Sequence, residues 1–345
     1  MVPGQCLVTL QLLDNFGLPV KRFIYILLLL FTLPVFVKGQ QLPIYSQYYL
    51  NQYLINPAVA GADGYTSFNL TAREQWLGYT GAPRTYSFSY QTRILKRSYI
   101  LKSTTVKRKM YRPKSDGKVG LGGYVFNDRN GLVERTGFQA SYSYHIWLYG
   151  GTELSFGLAA TAFHFRIDED KIQFEDPDDP ILNSDLRKGV FIPDANFGVY
   201  VLNYRYNIGF SIEQLFESYA KIGNSGYENL AMQRHYYLMG SITLPVSPES
   251  DIQPTFLFRM SEQVKPQLDI GMKYLLREDF WAGLSYRTAD VVIASVGTRF
   301  ENLYFGYSFD FSFNEIQNVT YGSHEIMVAM KFGSTLRRYR WLDRY

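Results

Sequence analysis

The run Leu303–Phe313, LYFGYSFDFSF, places Leu303, Phe305, Tyr307, Phe309, Phe311 and Phe313 at every second position. Tyr304, Gly306, Ser308, Asp310 and Ser312 fill the gaps. A period of two puts the first set on one face of a β-strand and the second on the other. One face is apolar and aromatic, and the other is small and polar with one acid. The same alternation returns in Arg84–Ile94, where Tyr86, Phe88 and Tyr90 alternate with Thr85, Ser87 and Ser89. It returns in Thr136–Leu148, where Phe138, Tyr142 and Tyr144 face away from Gln139, Ser141, Ser143 and His145. Pro266–Leu276 and Ser323–Gly333 repeat it again. Weaker versions occupy Tyr65–Arg73, Val119–Phe126, Thr152–Arg166, Ala195–Leu202, Tyr206–Glu213, His235–Val246, Asp251–Met260, Phe280–Arg287 and Asp290–Phe300. The pattern predicts an all-β chain of about 14 strands.

Many of these runs are longer than the roughly 5–6 residues of soluble strands and match the roughly 9–11 of membrane strands. No helix-length segment separates them, so a parallel βαβ architecture is excluded. An open sheet edge has no place in lipid, so the strands predict a closed transmembrane antiparallel β-barrel. The connections alternate in length. Tyr149–Gly151, Asn203–Arg205, Ser247–Ser250, Arg277–Asp279 and Glu301–Asn302 are short, whereas Ile167–Pro193, Gln214–Arg234 and Asn314–Gly322 are long. Two intervening connections, near Ser261–Lys265 and Thr288–Ala289, are short too. Outer-membrane barrels carry short periplasmic turns and longer outside loops. An even strand count then puts both termini on the periplasmic side. In the opening run, Phe309 is expected to face lipid and Ser308 a lumen that would tolerate Arg better.

Ahead of the strands, Phe23–Val37 is an apolar run preceded by Lys21 and Arg22 and followed by Lys38-Gly39. It reads as a secretory signal, too short for a spanning helix. The expected organisation is therefore a leader over 1–39, a periplasmic segment over 40–64, the barrel over 65–333 and a periplasmic tail over 334–345. In the 40–64 segment Tyr45, Tyr48, Tyr49 and Tyr53 recur at helical spacing until Asn56-Pro57 stops the run. This is either an N-terminal cap or an exposed partner-binding element.

Composition agrees with the strands. Aromatics make up 17% of the chain, with Tyr 29 and Phe 25, which suits strands and interfacial girdles. The one cysteine, Cys6, lies in the leader, so the processed chain has neither disulfides nor thiolate metal ligands. The net charge of +4 is unevenly placed. Leu95–Lys118 is strongly basic, with Lys107, Arg108 and Lys109 at its centre, and it is long although it falls on the periplasmic side. A solvated loop or a contact with a periplasmic partner both account for it. The outside loop Ile167–Pro193 carries Asp168, Glu169, Asp170, Glu175, Asp176, Asp178 and Asp179 without the spacing of a calcium loop. It reads as a solvated loop that could meet a basic partner. His145 and His324 are expected to face the lumen, and no spacing pairs them with a nucleophile. Arg73 and Glu74 are expected to face inward and pair, since buried charges need partners. With Trp76 they flank the first outside loop, where client contact is the competing role. No catalytic, cofactor or metal constellation emerges, and no nucleic-acid signature.

Several stretches in order resemble the PorP/SprF family of the type IX secretion and gliding machinery of Bacteroidota. They are QYYLNQYLINPAVAG (Gln47–Gly61), AREQWLGYTGAPRTYSFSY (Ala72–Tyr90), GLGGYVFNDRNG (Gly120–Gly131), YSYHI (Tyr142–Ile146), PDANFGVY (Pro193–Tyr200), FGYSFD (Phe305–Asp310) and GSHEIMV (Gly322–Val328). The resemblance implies a non-enzymatic outer-membrane barrel without cofactors. Such a barrel works with the type IX machinery to export or hold a secreted, adhesin-like cell-surface client. A passive channel is the alternative that composition leaves open.

Overall fold

A computed structural model describes residues 43–94, 118–148, 151–167, 189–220, 230–262, 264–277, 279–288 and 290–333. Its core is a ring of antiparallel strands: β1 Thr66–Glu74, β2 Arg84–Ile94, β3 Val119–Asn130, β4 Val133–Trp147, β5 Glu153–Ile167, β6 Val190–Leu202 and β7 Tyr206–Glu213. The ring continues with β8 His235–Ile242 and its extension Leu244–Ser247, β9 Ser250–Ser261, β10 Gln267–Leu276, β11 Phe280–Arg287, β12 Val291–Phe300, β13 Leu303–Ser312 and β14 Ser323–Phe332. Each strand pairs with its neighbours in sequence, and β14 pairs with β1 from Phe332↔Thr66 to His324↔Glu74, which closes a 14-strand barrel. All fourteen strands start or end within a few residues of the runs expected from alternation, with β6 beginning five residues early, at Val190.

The alternation sorts each strand onto two faces. On β2, Thr85, Ser87, Ser89 and Gln91 are buried toward the lumen, while Tyr86, Phe88 and Tyr90 are exposed outward. On β13, Ser308 and Asp310 are buried inward, with Phe305, Tyr307 and Phe311 outward. The outward set continues round the ring through Leu70, Phe138, Leu158, Ile270, Leu284, Val296 and Ile326, all exposed. A continuous apolar belt on this scale is intolerable in water and natural in lipid. Ten residues at about 3.3 Å rise, tilted by about 40°, span about 25 Å, the height of such a belt.

Strands β3–β6 run beyond that belt at the long-loop end, and here alternation underpredicts the ladder. Their outward residues turn polar, as in Asn127, Glu134 and Arg166, where Glu134 bonds Arg166 at 2.6 Å and Asn127 at 3.0 Å. Their inward residues are mixed, with an Asp128–Arg135 pair at 2.6 Å beside an apolar group. Phe163, Phe165 and Ile192 pack with Met232, which the β7–β8 connection brings over the lumen. Asp194 anchors that connection by accepting from the backbone of Phe216 at 2.9 Å and Ser218 at 3.1 Å.

Candidate functional site: the occupied lumen

The lumen is filled by the chain's own N-terminal segment. Thr66 and Phe332, the barrel's first and last pair, lie at the short-turn end. Gly61 packs there on the backbone of Thr92 and Arg93. From that end the segment runs back through the barrel to Pro43, which sits beside Phe126, Glu213 and Arg259 in the long-loop half. Tyr45, Ser46, Gln47, Tyr48, Asn51, Tyr53 and Asn56 are all buried. Of the two readings of this stretch, burial of its tyrosines speaks against the exposed partner-binding element, and the segment lies inside the barrel rather than as a periplasmic segment below it. Helical spacing also overestimates local order, because the segment forms two 3₁₀ turns, Gln52–Leu54 and Pro57–Val59. Pro at the first position of the second turn and Asn56 as its cap account for the stop.

Three sets of contacts hold the segment. The first is a ladder of alternating charges on the wall of the long-loop half. Arg259 reaches Asp269 at 2.8 Å, Asp269 reaches Arg287 at 2.9 Å, and Arg287 reaches Asp310 at 3.5 Å. Asp310 then reaches Arg73 at 2.7 Å, and Arg73 reaches Glu325 at 3.1 Å. Three cations and three anions balance, as burial requires. Ser46 and Gln47 dock onto this ladder. Their backbone N–H groups donate to Glu325 at 2.8 and 2.9 Å. The Ser46 hydroxyl donates to Asp310 at 2.7 Å and accepts from Arg73 at 2.8 Å.

The second set surrounds Asn56. Its Oδ1 accepts from Ala58 N at 2.9 Å, and its Nδ2 lies 3.0 Å from Val199 O and 3.2 Å from Phe210 O on the paired strands β6 and β7. Ile55, Ala58 and Tyr48 complete an apolar cluster with Tyr200, Tyr237, Met239 and Leu257 of the wall. On the way, Asn51 donates to Ser89 at 3.0 Å, and Tyr53 shares a 2.7 Å hydrogen bond with Ser141. Tyr49, partly buried, lies under the Lys273 ammonium at 4.2 Å, a cation–π contact.

The third set is at the short-turn end. The Ala60 carbonyl accepts from Ser143 Oγ at 2.6 Å and faces His145 Nε2 at 3.1 Å. His145 Nδ1 meets Glu153 at 2.8 Å, and Glu153 also accepts from Arg93 at 2.9 Å. Ser143, His145 and Glu153 thus form a serine–histidine–carboxylate group, which sequence spacing did not reveal. Its hydroxyl is spent on Ala60 and fully buried, so the group works as an anchor.

Further expectations need correcting. Arg73 pairs with Asp310 and Glu325, whereas Glu74 faces outward and meets Arg84 at 3.7 Å. Neighbours in a strand point to opposite faces, so an Arg73–Glu74 pair across the lumen was never available. His324 likewise faces outward, with Tyr307 Oη at 2.8 Å, because Glu325 takes the inward position. Trp76 stands at the long-loop end, where its backbone N–H donates to Ser323 Oγ at 3.1 Å. Lys107, Arg108, Lys109, Asp176, Asp178 and Asp179 lie outside the described residues. The inward acids Asp269, Asp310 and Glu325, central to the site, were visible as single polar breaks in alternating runs. Their mutual approach was not.

A cavity of about 50 Å³, lined by Tyr45, Tyr124, Glu213, Tyr237 and Arg259, lies beside the segment. Room for a few waters is not a route for solutes.

The fold and the filled lumen define a membrane-spanning β-barrel with an internal plug. The family profile described as "Type IX secretion system membrane protein PorP/SprF" matches residues 37–330, and the chain belongs to that family. No curated protein matches the sequence. Among solved structures, the chain is similar to a TodX deltaS2S3 mutant monoaromatic hydrocarbon channel, with 8% identity, 81% of this chain and 93% of that one covered, and a TM-score of 0.42. It is also similar to the outer membrane protein Omp33 of Acinetobacter baumannii, with 8% identity, coverage of 79% and 100%, and a TM-score of 0.38. CdiB from Acinetobacter baumannii shares 9% identity over 77% of this chain at a TM-score of 0.38, and the chain spans only 60% of that protein. Likeness at this level says nothing of function.

Proposed function

We propose that this barrel serves type IX secretion through its ends, holding a secreted client at the long-loop end and meeting machinery components at the short-turn end. The observation that carries this reading is the filled lumen, which weighs against the passive channel. By analogy with outer-membrane barrels, the short-turn end is periplasmic and the long-loop end is outside. The long-loop end offers a surface suited to a protein partner. The β1–β2 and β13–β14 loops interlock, with Leu77 N bonded to Gly322 O and Tyr321 N to Leu77 O, both at 2.8 Å. That ribbon presents Leu77, Tyr79, Val319 and Tyr321 to the exterior, all exposed. Apolar residues gathered on fixed loops favour a docking role over a merely solvated one. The acidic stretch around Asp176–Asp179 would add charge complementarity for a basic client, and Lys107–Lys109 a contact from below.

The test replaces the chromosomal copy with a Tyr79→Asp/Tyr321→Asp variant. Barrel abundance in the outer membrane should be unchanged, and the amount of type IX cargo displayed on intact cells should fall several-fold. Unchanged display with normal barrel abundance would remove this surface from the account.

A further inference from the structure

The wall is shaped for one particular peptide. Six inward glycines, Gly120, Gly122, Gly157, Gly198, Gly209 and Gly306, sit where any Cβ would meet the N-terminal segment. At Gly122 it would lie 2.6 Å from the Tyr53 ring, and at Gly209 it would lie 2.9 Å from Asn56 Nδ2. At Gly157 and Gly198 it would run into Ala58 and Asn56. None of the six has the positive φ that only glycine favours. Glycine weakens a strand interior, so its use here answers close approach of another backbone. The six lie on β3, β5, β6, β7 and β13, and together they form a track matched to residues 47–60.

Polar groups on the wall read the same peptide. Glu325 takes two consecutive backbone N–H groups, and the carbonyls of Val199 and Phe210 face the Asn56 amide. On β1 and β2 the inward face is one that water wets. Ser67, Asn69, Thr71, Ser87, Ser89 and Gln91 line β1 and β2, and the charge ladder is balanced without the segment. Removing the peptide would therefore expose a bore with this polar wall and an apolar patch of Tyr200, Tyr237, Met239 and Leu257. The tether is slight. Gly61 and Gly64, at φ +72° and +75°, turn the chain out of the lumen, and a half-exposed Lys331–Asp63 pair at 3.2 Å flanks them.

We propose that the lumen is a peptide-binding groove whose ligand is a Ser-Gln…Asn-Pro-Ala segment, supplied in cis by residues 43–61 as a separable plug, and that the barrel with this groove empty is an aqueous pore. The proposal does not depend on any client. The test uses the full chain with a protease site inserted between Asp63 and Gly64, reconstituted in planar bilayers. Uncleaved protein should give no steady current. After cleavage and a urea wash, discrete open-channel steps should appear. A synthetic peptide of residues 43–61 should then abolish them, and the same peptide with Asn56→Leu should not. Gly198→Leu in the uncleaved chain should open steps without proteolysis. Steady current through the uncleaved wild type, a washed barrel that stays closed, steps indifferent to the peptide, or a washed barrel that loses its compact gel mobility would each overturn the proposal.

Discussion

The lipid face and the lumen face of the wall are built from the same strands by the same alternation, yet they answer to different solvents. Outside, Phe88, Tyr142 and Leu284 meet lipid, and such side chains touch only near neighbours on the same face, as in the Phe68–Phe88 ring pair. Inside, Arg73, Asp310 and Glu325 are each at most 2% exposed and form one connected set, which Ser46 and Gln47 join. Lipid asks for apolarity, whereas a packed lumen asks for partners, which come from the N-terminal segment as well as the wall. A change of one residue should therefore have local consequences outside and shared ones inside.

The largest effect is expected where the two faces adjoin. Phe309→Arg puts a charge toward lipid, at about 2–4 kcal/mol near the midplane. Ser308→Arg puts one against a filled lumen, combining overpacking of about 1–3 kcal/mol with a poorly paired buried charge. The expectation of a tolerant lumen is thus reversed, and Ser308→Arg should reduce heat-modifiable barrel at least as much as Phe309→Arg. Clear tolerance at Ser308 alone would mean an open, wet lumen.

Of similar size is Glu325→Ala. It leaves the Ser46 and Gln47 N–H groups without acceptors and Arg73 with one partner fewer, at about 3–5 kcal/mol. Amide exchange at residues 45–50 should quicken while the strands stay protected. The outward counterpart, Glu74→Ala, breaks an exposed pair and should cost less than about 1 kcal/mol. Equal effects would erase the distinction between the faces.

A graded effect should follow alkaline pH. Burial pushes the phenols of Tyr48 and Tyr53 from 10 up to about 12. A group whose pKa is raised on docking stabilises the docked state fully below its free pKa and loses that contribution as pH rises through the docked value. Protease sensitivity of residues 43–61 should therefore appear between about pH 10 and 12 and not below. The smallest effect is expected for Tyr53→Phe. Loss of the hydrogen bond to Ser141 costs about 0.5–1.5 kcal/mol and should only modestly quicken exchange in the segment.

The barrel was legible because a period of two is a local signal that each strand repeats. Closure followed from the physics of lipid rather than from any residue. The plug was not legible, for two reasons. Tyr45, Tyr48, Tyr49 and Tyr53 suit a buried wedge and an exposed docking face equally well by composition. Their partners are also remote in sequence, as in the 279-residue separation of Ser46 and Glu325. The lumen glycines read as weak strand positions, and only the structure shows what lies over them. At the long-loop end of β3–β6, alternation stopped informing because the outward face had turned polar while the ladder continued.

The most direct measurement of the plugged barrel is a short bis-thiol cross-link between Asn51→Cys and Ser89→Cys, read by mass spectrometry of a digest from native membranes. These side chains lie 3.0 Å apart across the segment–wall interface, and Asn69→Cys/Ser89→Cys, within the wall at 3.3 Å, serves as the control. Both pairs should link efficiently. Linkage of the wall pair with none between positions 51 and 89 would place the N-terminal segment outside the lumen and contradict the account.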